Sequence, residues 1–417
     1  MQLSQWGWRV TAGLSTVLTA VGLVSTSASA DERPPSGVPS VGTPFEFPVQ
    51  PGTPQWQDFT NHRQMLQATA IPEPMLKQLT TPALAQTVLD YPLFMDIKAY
   101  NSDQRGMDAV AKQFNGLREL LQRPDAGSAL LPMYQAFQPT TVGLTAADRG
   151  EHLFDGWRLE VLLAQPSVLH TLNTAQLDTI LATADQTFAG KQADRAHYGE
   201  DGLESTSLLL GRALAVRDGW AWQASTFLRE GNGSDGIPQQ IRGAIHQHLA
   251  APANLAAPGS SQVLQAAIKA VDTPSVRTPH GTLVAVEQRA TDLTSDELRY
   301  LNDKVTQMYP LADRETQASR RYNCHSYAWF SQSPTNDKWM MSPGDDAYWK
   351  DGSYRRWSRT MPYGPGMRWS WVQGDHSAVE IGKTGRVRSK WGNYPVMTHE
   401  WDYSPYPDVV VNRYLPN

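Results

Sequence analysis

The apolar pattern of this chain changes period near residue 271, and that change limits the folds open to it. From about Gln64 to Val271, Met107, Val110, Phe114, Leu117 and Leu120-Leu121 recur at steps of three and four, as do Leu177, Ile180, Leu181 and Ala184 behind a cap at Asn173 or Thr174. Ala146 to Gln165 and Leu203 to Arg229, the latter broken near Gly219, extend the pattern, and six to nine helices are predicted. Such helices cannot bury an apolar stripe alone, so they should pack as an irregular bundle or helical array, without a fixed repeat period. Beyond Val271, Pro274, Pro279 and Gly281 punctuate the chain, Thr282 to Glu287 alternates like a strand, and Thr294 or Ser295 with Glu297 opens a helix to Met308. Eight of the fourteen tryptophans then fall between Trp329 and Trp401, marking a second module. The expected fold is multidomain: an all-α region over 57–271, a connecting segment over 272–317 with a strand and a helix, and an α+β region with an antiparallel sheet over 318–417.

The first thirty residues read as an export signal. Arg9 closes a short leading stretch, Val10 to Val24 is apolar, and Ser27-Ala28-Ser29-Ala30 offers a small-x-small cleavage site, expected after Ala30. That apolar stretch is short of the roughly 20 residues that span a bilayer, so no membrane span is expected after cleavage. An uncleaved anchor is the alternative. Residues 31–56, rich in Pro, Gly, Ser and Thr, read as a flexible lead-in.

Charge narrows the partners. From Ala318 to Asn417 there are 13 Lys and Arg against 9 Asp and Glu, or +4, which leaves −9 elsewhere in a chain of net −5. This asymmetry mildly favours an anionic partner for the C-terminal part, but it is far from the basic stripe of a nucleic-acid binder. His246 and His248 are two apart and face different sides of a helix, so a metal site is not expected there. Asp345-Asp346 and Asp351-Gly352 lack the loop spacing of a calcium site. Neither metal nor cofactor is expected.

Cys324 is the one cysteine in 417 residues, set in Tyr322-Asn323-Cys324-His325-Ser326-Tyr327-Ala328-Trp329. In an exported protein an unpaired thiol is either inert and buried or a nucleophile. Asn323 is a good cap for a helix ending before Pro334, which would put Cys324 at the first helical position, where free amides and the dipole favour thiolate. His325 is its neighbour but points about 100° away on a helix, so His376 is the better base. His376 opens a strand after Gly374, and Thr384-Gly385 can turn that strand into Val387 to Asn393. If Lys383 pairs with Arg386, Asn393 lies opposite His376 and can orient its ring. If the turn is Lys383-Thr384, Trp391 lies opposite His376 and Ser389 is the nearer orienter. Turn propensity favours the first.

This order, a Cys opening a helix, a Pro-Gly strand and a His heading a hairpin, resembles the NlpC-type and CHAP-type cell-wall peptidases, which have a reduced papain-like fold. The resemblance implies Cys324 as nucleophile, His376 as base, and Asn393 or Ser389 as orienter. Asn323 stands where those peptidases commonly have Asp, and His325 where they have a small residue. YNCHSYAW, GDHSAVEIG and SKWG, with Leu89-Asp90-Tyr91-Pro92-Leu93 and Phe114-Asn115-Gly116-Leu117, also resemble a group of secreted bacterial proteins, and this likeness covers most of the mature chain. Lecithin retinol acyltransferase-like enzymes resemble the same fold but carry His before Cys, the reverse of this order.

The expected function is a secreted cysteine hydrolase that cleaves peptide or amide bonds, with cell-wall peptidoglycan as the expected substrate, through an acyl-enzyme. The amides of Cys324 and Tyr322 would stabilise the oxyanion. Trp329, Trp369, Trp371 and Trp391 are candidate substrate contacts, as are Trp339, Trp349 and Trp357, although such a domain also needs about half its tryptophans as core. The alternatives are a non-catalytic envelope-binding protein on the same scaffold, or a transglutaminase-like acyltransferase.

Overall fold

The computed structural model describes residues 41–222, 225–250, 274–358, 361, 366–371, 375–382, 385–407 and 410–417. The predicted export signal, the end of the helical stretch over 251–271, Gly374, Lys383 and Thr384 lie outside them.

Short polar residues set the helix starts. Asn61, Thr80, Ser102, Thr145, Asn173, Ser225 and Thr294 each accept a hydrogen bond from the backbone N–H three residues on, and Asn173 and Thr294 complete reciprocal capping boxes with Gln176 and Glu297. These caps, with prolines such as Pro82 and Pro166 in first turns, restart the helix so often that thirteen α-helices run from His62 to Ala250 among the described residues, more than the spacing predicts. The longest are Ala146–Leu163, Thr174–Ala193 and Asp201–Asp218. The last is buried along most of its length and stops where Gly219 turns left-handed at φ 71°. The expected helix Ser295–Met308 forms with those bounds, and the strand expected over 282–287 forms as two short pieces, Leu283–Ala285 paired with Ser275–Arg277 and Glu287–Gln288 paired with Lys338–Trp339.

The C-terminal part is built on a seven-stranded antiparallel sheet. Its strands are β1 (Asp313–Arg314), β2 (Tyr354–Arg356), β3 (Arg368–Trp371), β4 (His376–Glu380), β5 (Arg386–Lys390), β6 (Val396–Glu400) and β7 (Val411–Pro416), in the order β1-β6-β5-β4-β3-β7-β2. Trp371 pairs with His376 and Trp369 with Ala378, so these four share one face, and Ser370 and Ser377 share the other.

Helices and sheet meet in one hydrophobic core. Trp56, Leu84, Leu162 and Leu214 belong to the same buried cluster as Trp369, Ala378, Trp391 and Met397, within a unit spanning Ser40–Asn417. The change of secondary structure near 271–318 is therefore a change of layer within one folded unit. A strap, Lys98 to Ser102, stitches the layers together. The Asn393 N–H donates to Lys98 O at 2.8 Å, Tyr406 Oη to Ala99 O at 2.6 Å, and Tyr100 Oη to Pro405 O at 3.0 Å. Gly392, at φ 49°, makes the crossing possible, because a Cβ there would collide with the backbone of Lys98 and Ala99.

Candidate functional site

Asn323 caps the helix that carries the lone thiol. Its Oδ1 accepts from the Ser326 N–H at 3.1 Å and its carbonyl from the Tyr327 N–H at 2.9 Å, which puts Cys324 at the helix start as its sequence context predicts. The helix widens into a π-turn over Ser326–Phe330, a geometry common near functional sites.

The thiol is wholly buried. Cys324 Sγ donates to Asn101 Oδ1 at 3.4 Å and lies 3.9 Å from Asp375 O, and the Ser377 N–H is directed at it. It is thus clipped to β4 by the peptide groups on either side of His376. Burial pushes its pKa up, and the nearby charge of His325 and the Ser377 N–H reduce that rise without reversing it. The resting thiol is neutral.

His325 is the charged histidine of this site. Its Nδ1 lies 2.8 Å from Ser377 Oγ and 3.2 Å from Asp345 Oδ2, and its Nε2 lies 3.2 Å from Asp375 Oδ1. Burial alone would favour the neutral ring, but the Asp345 carboxylate, with that of Asp375, outweighs it and holds the imidazolium well above the ordinary histidine range. Arg105 reaches over from the helical layer to Asp375 at 2.9 Å and to Glu230 at 3.0 Å. Despite its burial, Asp375 is kept below the usual carboxylate range by His325 and Arg105. With both nitrogens facing acceptors, His325 stabilises negative charge nearby and has no free site to take a proton.

His376 differs. Its ring stacks on Tyr406 with centroids 3.5 Å apart and meets Trp371 edge-on at 4.8 Å, and neither ring nitrogen has a hydrogen-bond partner among the described residues. Burial, then the neighbouring His399 and His325, drives its pKa well below the ordinary value, so the ring is neutral. The expected Cys324–His376 hydrogen bond is therefore not formed. Ser377, one residue on, carries the bonds to the Cys324 helix through His325 and Trp329, and alternation along the strand turns His376 to the other face.

The expected orienters are engaged elsewhere. Val379 pairs with Arg388 and Glu380 with Val387, the register of a Lys383-Thr384 turn, two residues away from the one that would face Asn393 with His376. Asn393 instead donates to Asp201 Oδ1 at 3.1 Å. Ser389 Oγ bonds His399 Nε2 at 2.9 Å and accepts from Trp391 Nε1 at 2.9 Å.

Of the proposed substrate contacts, Trp371 lines a cleft of about 440 Å³ beside His325, together with Arg105, Asp345, Asp375, Trp349 and Tyr414. Tyr322, Trp329, Trp369 and Trp391 are buried structural residues instead. Trp329 packs between Tyr348, Tyr354 and Tyr414, Trp369 donates to Glu380 at 3.0 Å, and Tyr322 lies under the Lys390 ammonium group. Among the described residues, no group of three or more His, Cys, Asp or Glu could hold a metal, and no helix is long and apolar enough to cross a membrane.

Asn101, Arg105 and Asp345 belong to this site and escape a reading of the sequence. Asn101-Ser102-Asp103 carries only the signal of a helix start, and its contact with Cys324 spans 223 positions. Comparison with protein-family models, curated proteins and solved structures finds no match.

Proposed function

We propose that this chain is an exported cysteine hydrolase that cleaves amide bonds, with cell-wall peptides as substrate class, on a papain-like arrangement of a Cys-bearing helix against an antiparallel sheet. The observation that carries this reading is the lone thiol at a capped helix start with an amide group already seated on it. Cys324 Sγ attacks the substrate carbonyl carbon, and the helix-start amides with the Ser377 N–H offset the charge that develops. His376, neutral and without a partner among the described residues, is the base of this reading, and because it faces away from the Cys324 helix in the resting fold, its ring must turn toward the thiol to take the proton and deliver it to the leaving nitrogen. Water then cleaves the thioester, releasing a carboxylate and restoring the thiol. His325, pinned by Asp345 and Asp375, supplies a fixed positive charge.

A second reading, a binding protein with an inert thiol, is favoured by the complete burial of Cys324 and the absence of its bond to His376. Incubation of wall-derived peptides with the Asn101→Gly chain, with Cys324→Ala added as control, separates the two. Mass spectrometry should find amide hydrolysis, either as new amine and carboxylate termini or as carboxamides converted to carboxylates, that vanishes with the control. Peptides left chemically unchanged, or altered equally by the control, would favour the binding reading.

A further inference from the structure

We infer that Asn101 is a built-in pseudosubstrate: its side-chain carboxamide occupies the position of the scissile group, and the cradle it fills is made for a primary carboxamide. This rests on the hydrolase reading and names its acyl donor.

The contacts of Asn101 sort by chemistry. Its Oδ1 accepts from Asn323 Nδ2 at 2.8 Å and from Cys324 Sγ at 3.4 Å, while its Nδ2 donates to Asp375 O at 2.9 Å. The cradle thus offers donors to a carbonyl oxygen and an acceptor to an amide nitrogen. A carboxylate or ester would turn an oxygen toward the Asp375 carbonyl, acceptor against acceptor, so the cradle discriminates by an unpaired polar group. Asn323 is itself fixed by a further bond to Met340 O at 2.7 Å and by its cap to Ser326. His376, the residue next in the chain to the Asp375 carbonyl that closes the cradle, is wholly buried and has no hydrogen-bond partner at either ring nitrogen among the described residues.

The strap keeps the Asn101 carboxamide from being attacked. The Asn101 backbone carbonyl accepts from Trp339 Nε1 at 3.0 Å and Asn232 Nδ2 at 2.8 Å, and the adjoining Ser102 Oγ donates to Glu230 at 2.9 Å. The side chain is held with its oxygen toward the thiol, so the neutral S–H donates to that oxygen and the carbonyl carbon is not presented for attack. For an incoming carboxamide the step balances as follows. The C–N bond breaks as the S–C bond forms, the thiol proton passes through imidazole to the leaving nitrogen, ammonia departs, and water converts the thioester to a carboxylate.

The test uses the full chain and two small alkylating reagents of near-equal size, iodoacetamide, which carries a carboxamide, and iodoacetate, which carries a carboxylate. Rates at Cys324 are normalised to those of free N-acetylcysteine, and folding is checked by circular dichroism. In wild type both should be slow. In Asn101→Gly, alkylation should quicken about tenfold or more, the scale of one lost buried hydrogen-bonding group, with iodoacetamide favoured over iodoacetate beyond the free-thiol ratio. Asn101→Ala serves if the glycine variant does not fold. Unchanged rates in the folded variant would overturn the inference, as would faster alkylation without preference. Selective alkylation combined with wall peptides neither cut nor deamidated would leave the cradle standing and remove the wall-hydrolase reading.

Discussion

Cys324 lies between a protonated imidazole and a neutral carboxamide, and its ionisation is set by burial, with Asp375, against the charge of His325. While Asn101 is seated, burial holds the thiol neutral. The charge of His325 in turn depends on Asp345, itself almost wholly buried. His325 is held protonated above its ordinary range, so its stabilising contribution is complete below the unfolded-state value of about 6.5 and is lost as pH rises through the folded value. Asp345→Asn should move that loss to lower pH. Histidine NMR titration should show the His325 resonance shifting to a lower midpoint, and an unmoved midpoint would contradict the ion pair. His399 runs the other way. Burial pushes it down to about 4, so its contribution is present above about 6.5 and lost as pH falls through 4, a swing of about 3 kcal/mol. In urea unfolding, His399→Gln should flatten the wild-type decline between those pH values; an identical decline would exclude the assignment.

At the scale of elements, the caps were legible and the register was not. Asn323, Asn173 and Thr294 act within three residues of themselves, so their roles follow from local chemistry. The β4–β5 register depends on a turn for which Thr-Gly is only a weak signal, and both Asn393 and Ser389 find partners that no local rule could assign, Asp201 and His399. His376 was legible as the head of a strand, but which face it takes is decided by what packs on Ser377. Asn101 reaches Cys324 only because Gly392 lets the Lys98–Ser102 strap cross the β5–β6 connection. Gly392→Ala should therefore cost about 2 kcal/mol or more through strain and overpacking, and should also raise the alkylation rate of Cys324. A destabilised variant with the thiol still masked would show that the strap does not depend on this crossing.

On the scale of the whole molecule, the composition shift after 271 predicted helices followed by sheet, and that order holds. Pattern alone could not reveal that the two share a core, because an apolar sheet face reads the same whatever covers it. Trp56 Nε1 donates to Met308 O at 2.8 Å and Tyr394 Oη to Met95 O at 2.9 Å, both buried. A fragment covering 272–417 should therefore fail to unfold cooperatively, whereas 41–417 should give a single calorimetric transition. A fragment with its own sharp transition would restore two independent domains.

The central claim is that Cys324 is an activatable nucleophile served by His376. The most direct test is the pH midpoint of Cys324 alkylation by iodoacetamide in Asn101→Gly, with and without His376→Ala. The account predicts a midpoint below the ordinary thiol value of about 8.5, moving upward when the imidazole is removed. A midpoint at or above that value, or one indifferent to His376, would contradict it and leave Cys324 as a buried structural thiol.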